Sequence, residues 1–150
     1  MDLTIPYWHP AVVHFPIALL LFGAAAAVVY GALGRAFWRG VALLAFAAGT
    51  AGAWAAVRTG KTIYEAVEGE PVVEALVGRH QALADWTLWV SAAVLAVLAG
   101  AAVWTRRTGR AGPDPLVLRL AVTGLAVAAA VLVAMTGRLG GQMVWGVAAP

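Results

Sequence analysis

Four apolar runs, at residues 11–33, 38–57, 80–104 and 116–136, leave this chain little choice of solvent. A bilayer core about 30 Å thick is crossed by roughly 20 helical residues, and each run supplies that length with any charge close to one end. With 63% of residues hydrophobic and 11% charged, there is too little polar surface to clothe four such helices in water. The expected fold is all-α, an antiparallel four-transmembrane-helix bundle, and 150 residues leave room for a single membrane domain over 1–150 and no soluble module. The first run follows Asp2 without a preceding Lys or Arg and is longer than a signal-peptide core, so it is expected to be retained. Seven Trp and three Tyr suit an interfacial belt, with Trp8, Trp38, Trp86, Trp89, Trp104 and Trp145 as anchors.

Charge gives the runs a direction. Arg35 and Arg39 flank the first connection, and Arg106, Arg107, Arg110 and Arg119 the third, both nearly free of acid. Those two connections therefore read as cytoplasmic and both termini as extracytoplasmic. The long middle connection, 58–79, is the acidic one: Glu65, Glu68, Glu70 and Glu74 share the far side with Asp2, Asp85, Arg58, Lys61, Arg79 and Arg138. A short interfacial turn is expected near 62–68, and Pro71 is placed to open a helical segment that can run into the third span. The net charge of +3 arises from small clusters rather than a basic stripe, which argues against nucleic acid as a partner. With no Cys, disulfides, thiolate metal sites and CxxCH haem attachment are excluded, so a metal or cofactor falls to His, Met, carboxylate or backbone.

The chain has only three histidines, His9, His14 and His80. Spans one and three run parallel, which puts all three near the extracytoplasmic mouth, and diagonal helices of a bundle can hold a group between two rings. His9 precedes Pro10 and lies five residues from His14, off its i,i+4 face, so it is expected to support the site while His14 and His80 form it. Asp85, inside the third span, is expected to pair with Arg79 or Lys61 or to orient a histidine. Met135 and Met143 read as apolar gap fillers. Small residues at Ala45, Gly49, Ala53 and Ala56, and at Gly124 with Ala128, predict close helix contacts, while Gly140 and Gly141 read as the end of the last helix.

The stretch His9-Pro10-Ala11-Val12-Val13-His14-Phe15-Pro16-Ile17-Ala18-Leu19 resembles the opening motif HPxxVHFPIxL of a bacterial family of small four-helix membrane proteins, domain of unknown function 2231. The likeness continues at Thr59-Gly60, at the lone His80, and in the ending Gly140-Gly141-Gln142-Met143-Val144-Trp145-Gly146, where Trp145 stands in place of the more usual Tyr. It implies the bacterial cytoplasmic membrane and partnership with redox modules such as cytochrome c or Rieske-type domains, and with them haem binding or electron transfer. It supplies no catalytic residue.

The reading that joins these features is a b-type cytochrome-like electron carrier without turnover of its own. One haem b would be held by His14 and His80, with His9 supporting it and Arg58, Lys61, Arg79 and Arg138 as partners for the propionates. A quinol, a cytochrome c, a Rieske-type protein or an oxidase would be the redox partner. Two alternatives stand beside it: a copper or zinc site for binding or transport, made by His9, His14, His80 and Asp85, and a structural accessory subunit of a respiratory complex. Transport sits poorly with the near absence of ionisable residues in the middle and cytoplasmic halves of the spans.

Overall fold

The computed structural model describes residues 8–66, 71–109 and 111–145. Four long helices make up the fold: α1 (Trp8–Leu33), α2 (Ala36–Ala66), α3 (Pro71–Thr108) and α4 (Leu116–Trp145). All four contain windows long and apolar enough to cross a membrane. The protein is an all-α, four-span membrane bundle. The expected positions of Asp2, Glu68, Glu70, Arg110 and Gly146, and the side chain of Trp145, lie outside the described residues.

Contacts run α1 to α2, α2 to α3, α3 to α4 and α1 to α4, so α1 and α3 are diagonal. Neighbours are antiparallel: Phe15 and Pro16 of α1 lie against Gly52 of α2, and Gly23 against Phe46. Each helix buries one stripe with a step of three or four residues, the period of helix contact in bundles. Leu20, Ala24, Ala27 and Tyr30 of α1 cluster with Ala42, Phe46 and Ala53 of α2. Val94, Leu98 and Ala101 of α3 and Val122, Ala126, Ala129 and Val133 of α4 complete the core. The outward surface is apolar and carries Trp8, Trp86, Trp89 and Trp104, as a chain solvated by lipid requires.

The helices overrun the apolar runs. Polar residues 58–66 continue α2, and α3 begins at Pro71, so the middle connection is largely helical and His80 sits well inside α3. Proline suits that first-turn position because its missing N–H would be unpaired there anyway. Gly140 and Gly141 do not terminate α4, which runs on to Trp145. The Gly124 and Ala128 pair also departs from expectation, since both are exposed and nothing lies within 4 Å of an added Cβ at Gly124.

At the end where α1 gives way to α2, polar groups from every helix are tied together. Gly34 turns the chain at φ 65°, with its N–H on the Tyr30 carbonyl at 2.8 Å. A side chain there is strained by the backbone and would also meet Pro113 at 2.9 Å. Asp114, buried in the third connection, accepts the Tyr30 hydroxyl at 2.6 Å and an Arg39 N–H at 2.5 Å. Arg39 also donates to Thr105 of α3 at 2.9 Å. Arg119 of α4 reaches the Gly31 and Ala32 carbonyls, acceptors left open by the end of α1.

Midway along the bundle, the hydroxyls of Thr50 on α2 and Ser91 on α3 are buried without a hydrogen-bond partner. Ser91 is fully buried, so its hydroxyl bears the desolvation cost with no return. Ser91→Ala is therefore expected to stabilise the bundle by about 1 kcal/mol. Denaturation in mild detergent checks this, and a loss of stability would show that the hydroxyl has a partner.

Candidate functional site

The opposite end of the bundle gathers the histidines' neighbours. On α1, the stripe that passes through Leu20 continues back through Pro16 and Val13 to His9. On α3, the stripe through Val94, Ser91 and Thr87 continues through Ala84 to His80. Both rings are half-buried, and an added Cβ at Gly60 of α2 would lie within 4 Å of both His9 and Gln81, the chain neighbour of His80. His9 and His80 are thus the half-buried histidines of this end of the bundle.

Each ring is anchored through one nitrogen. His80 Nδ1 is 3.1 Å from the Thr136 carbonyl of α4. A carbonyl only accepts, so Nδ1 carries the proton and Nε2 of the neutral ring keeps its lone pair. His9 Nδ1 is 2.9 Å from Thr59 Oγ1 of α2. The Thr59 hydroxyl has its single hydrogen directed at its own helix, with the Ala56 carbonyl at 3.0 Å and the Ala55 carbonyl at 3.1 Å. The Thr59 oxygen, which can receive an N–H from His9 Nδ1, ties the ring to α2. Tying Nδ1–H to an oxygen while freeing Nε2 is how proteins commonly prepare an imidazole for a metal.

Two glycines make room for these rings. An added Cβ at Gly60 would lie 3.1 Å from His9 Cε1, and one at Gly140 would lie 3.3 Å from His80 Cε1. Gly140 belongs in α4 because it continues the buried stripe of Ala129, Val133 and Thr136 and meets the imidazole at its end. Below His80, the Thr136 hydroxyl lies 3.2 Å from that of Thr87, so the polar contacts extend one turn into the core.

His14 is placed differently from the expectation. Its ring is exposed, and Nδ1 turns back to the Pro10 carbonyl one turn earlier on α1 at 2.5 Å. The reason is geometric: five steps along a helix leave His14 about 140° around the axis from His9, so one stripe cannot carry both. The stripe that faces the core carries His9, and His14 lies off it. Among the described residues, Asp85 pairs with neither Arg79, Lys61 nor a histidine, and instead accepts a hydrogen bond from Gln81 Nε2 at 3.2 Å. Gln81 Oε1 lies 3.6 Å from an added Cβ at Gly60, on the same side as His9.

The copper or zinc site of three histidines with Asp85 is not assembled, because among the described residues no three His, Asp or Glu side chains converge on a common point. Arg58, Lys61, Arg79 and Arg138 are all exposed around this end. Arg58 lies over the Trp54 ring at 5.3 Å to its centroid, a cation–π contact. Sequence reasoning passed over Thr59 and Thr136 as ring anchors and Tyr30, Arg39 and Asp114 as a unit. The available signals were the stripe register for the first two and, for Asp114, a lone acid between two prolines in an arginine-rich connection.

The fold defines a four-span helical membrane protein with two half-buried histidines at one end. A model of the predicted membrane proteins DUF2231 matches residues 6–149, and the chain belongs to that family. No curated protein and no solved structure matches it.

Proposed function

We propose that this chain is a membrane electron-transfer protein that holds one haem b at its histidine end, with His9 and His80 as the axial pair. The observation that carries the reading is the anchoring of both rings through Nδ1, His9 to the Thr59 hydroxyl and His80 to the Thr136 carbonyl, the latter leaving Nε2 of the neutral His80 ring with its lone pair. The donor set suits a porphyrin iron better than a tetrahedral ion: two neutral imidazoles come from diagonal helices, and no third ligand joins them among the described residues. Thr59 and Thr136 hold the rings in orientation, and Gly60 and Gly140 keep the space beside them clear. Arg79 and Arg138, exposed near His80 and Gly140, are the nearest partners in sequence for propionates, with Arg58 and Lys61 further along α2. Bound there, the haem iron supplies one-electron redox chemistry, tuned by ligand basicity and burial. The histidine end faces outward from the bacterial cytoplasmic membrane in this reading, and quinol, a cytochrome c, a Rieske-type protein or an oxidase exchanges electrons with it.

The test is the visible spectrum of detergent-purified protein, oxidised and then reduced, together with metal analysis. A Soret band with resolved reduced bands is expected, lost or converted in His9→Ala and in His80→Ala and kept in His14→Ala. A colourless protein carrying stoichiometric copper or zinc would end the haem reading. A spectrum that survives His9→Ala and fails in His14→Ala would return the ligand role to His14.

A further inference from the structure

At the end of the bundle away from the histidines, a cleft of about 150 Å³ opens between the start of α2, the end of α3 and the third connection. Its polar lining is Arg39, Thr105, Arg106 and Asp114, with Ala36 and Gly112 beside them. We propose that this cleft binds the phosphate of an anionic phospholipid headgroup. The proposal is independent of the haem reading.

Charge is the first argument. Asp114 is matched inside the fold by Arg39 and by the Tyr30 hydroxyl, and Arg39 is fixed further by Thr105. That leaves Arg106 as the uncompensated charge of the lining: exposed, and without an ion-pair or hydrogen-bond partner among the described residues. A guanidinium presents two parallel N–H donors that match two phosphate oxygens. Ala36 opens α2 at the same cleft, which adds the positive end of a helix dipole to a cavity already cationic.

Position supplies the second argument and selects a lipid over free phosphate. The apolar runs of α2 and α3 begin near residue 38 and end near residue 104, so a cleft lined by Ala36, Arg39, Thr105 and Arg106 falls at the border of the apolar layer, at headgroup depth. Around it the outward surface is apolar: Leu33, Phe37, Val103 and Trp104 are all exposed. A cationic notch bordered by acyl-compatible surface suits an amphiphile, and basic pockets between transmembrane helices are a recurrent way to hold anionic lipid.

The experiment follows thermal unfolding of the full chain in detergent on titration with phosphatidylglycerol, phosphatidylcholine or inorganic phosphate. The variants are Arg106→Gln and, as a charge-matched control, Arg107→Gln, which is exposed and does not line the cleft. Phosphatidylglycerol is expected to raise the midpoint more than phosphatidylcholine. The half-effect concentration should rise about tenfold in Arg106→Gln, the scale of one charge-assisted hydrogen bond, and little in Arg107→Gln. Equal responses of the two variants would reduce the effect to general surface charge and overturn the site. So would phosphatidylcholine acting as well as phosphatidylglycerol. If inorganic phosphate alone reproduces an Arg106-dependent shift, the anion chemistry stands and the lipid assignment falls.

Discussion

Asp114→Ala is expected to lower the unfolding free energy of the bundle by about 3–5 kcal/mol, the range for removing one partner of a buried ion pair. The Asp114 side chain is 3% exposed and that of Arg39 11%, so the guanidinium left behind has little access to water. The fully buried Tyr30 hydroxyl loses its acceptor in the same step. This carboxylate joins three parts of the fold: the end of α1, the start of α2 and the third connection. Asp114→Asn keeps an acceptor for Tyr30 but removes the charge, and should fall between the wild type and Asp114→Ala. Pairing Asp114→Leu with Arg39→Met removes both charges and should recover most of the loss, because a buried ion pair contributes little net stability over well-packed apolar groups. Unfolding in mixed micelles measures all four proteins. A change within about 0.5 kcal/mol for Asp114→Ala, the range of ordinary surface substitutions, would mean that the carboxylate is solvated in the folded protein.

The four helices were legible because a span advertises itself by length alone, and no other arrangement of these apolar runs satisfies their backbone groups in lipid. Helix ends were less legible. Residues 58–66 are polar enough to leave the bilayer yet remain helical, so hydropathy missed the overrun of α2, whereas Pro71 marked the start of the helical segment that runs into the third span. The site was legible as a place and less so as a set of atoms. Motif spacing brought His9, His14 and His80 to one mouth, but the orientation of α1 decides which ring enters the bundle. That orientation was readable from the stripe His9, Val13, Pro16, Leu20, Gly23, Ala27 and Tyr30, which excludes His14. Anchors such as the Thr136 carbonyl have no side-chain signature, and Asp114 is silent in a count that treats its connection as nearly free of acid. The two glycines of the ending were read for backbone freedom, whereas at Gly140 it is the missing Cβ beside His80 that matters.

The same distinction between a small residue that admits a neighbour and one that merely lacks a side chain yields a contrast on α2 and α4. An added Cβ at Gly49 would lie 2.7 Å from Leu20 Cδ2, 2.9 Å from Cγ and 3.3 Å from the Leu20 backbone nitrogen. Leu20 is 1% exposed and has nowhere to retreat, so α1 itself must move away from α2. Gly49→Leu is therefore expected to cost about 3 kcal/mol or more, at or beyond the usual range for overpacking. Gly124 shows the same small-residue spacing with Ala128, yet both face outward and the space beside Gly124 is open. Gly124→Leu should be neutral or stabilising by up to about 1 kcal/mol, since leucine is the better helix former and its side chain has lipid to enter. Unfolding of the two variants in the same micelles gives the comparison. A Gly124→Leu protein as unstable as Gly49→Leu would place that face of α4 against another surface, and the small-residue pair would then have to be assigned to packing after all.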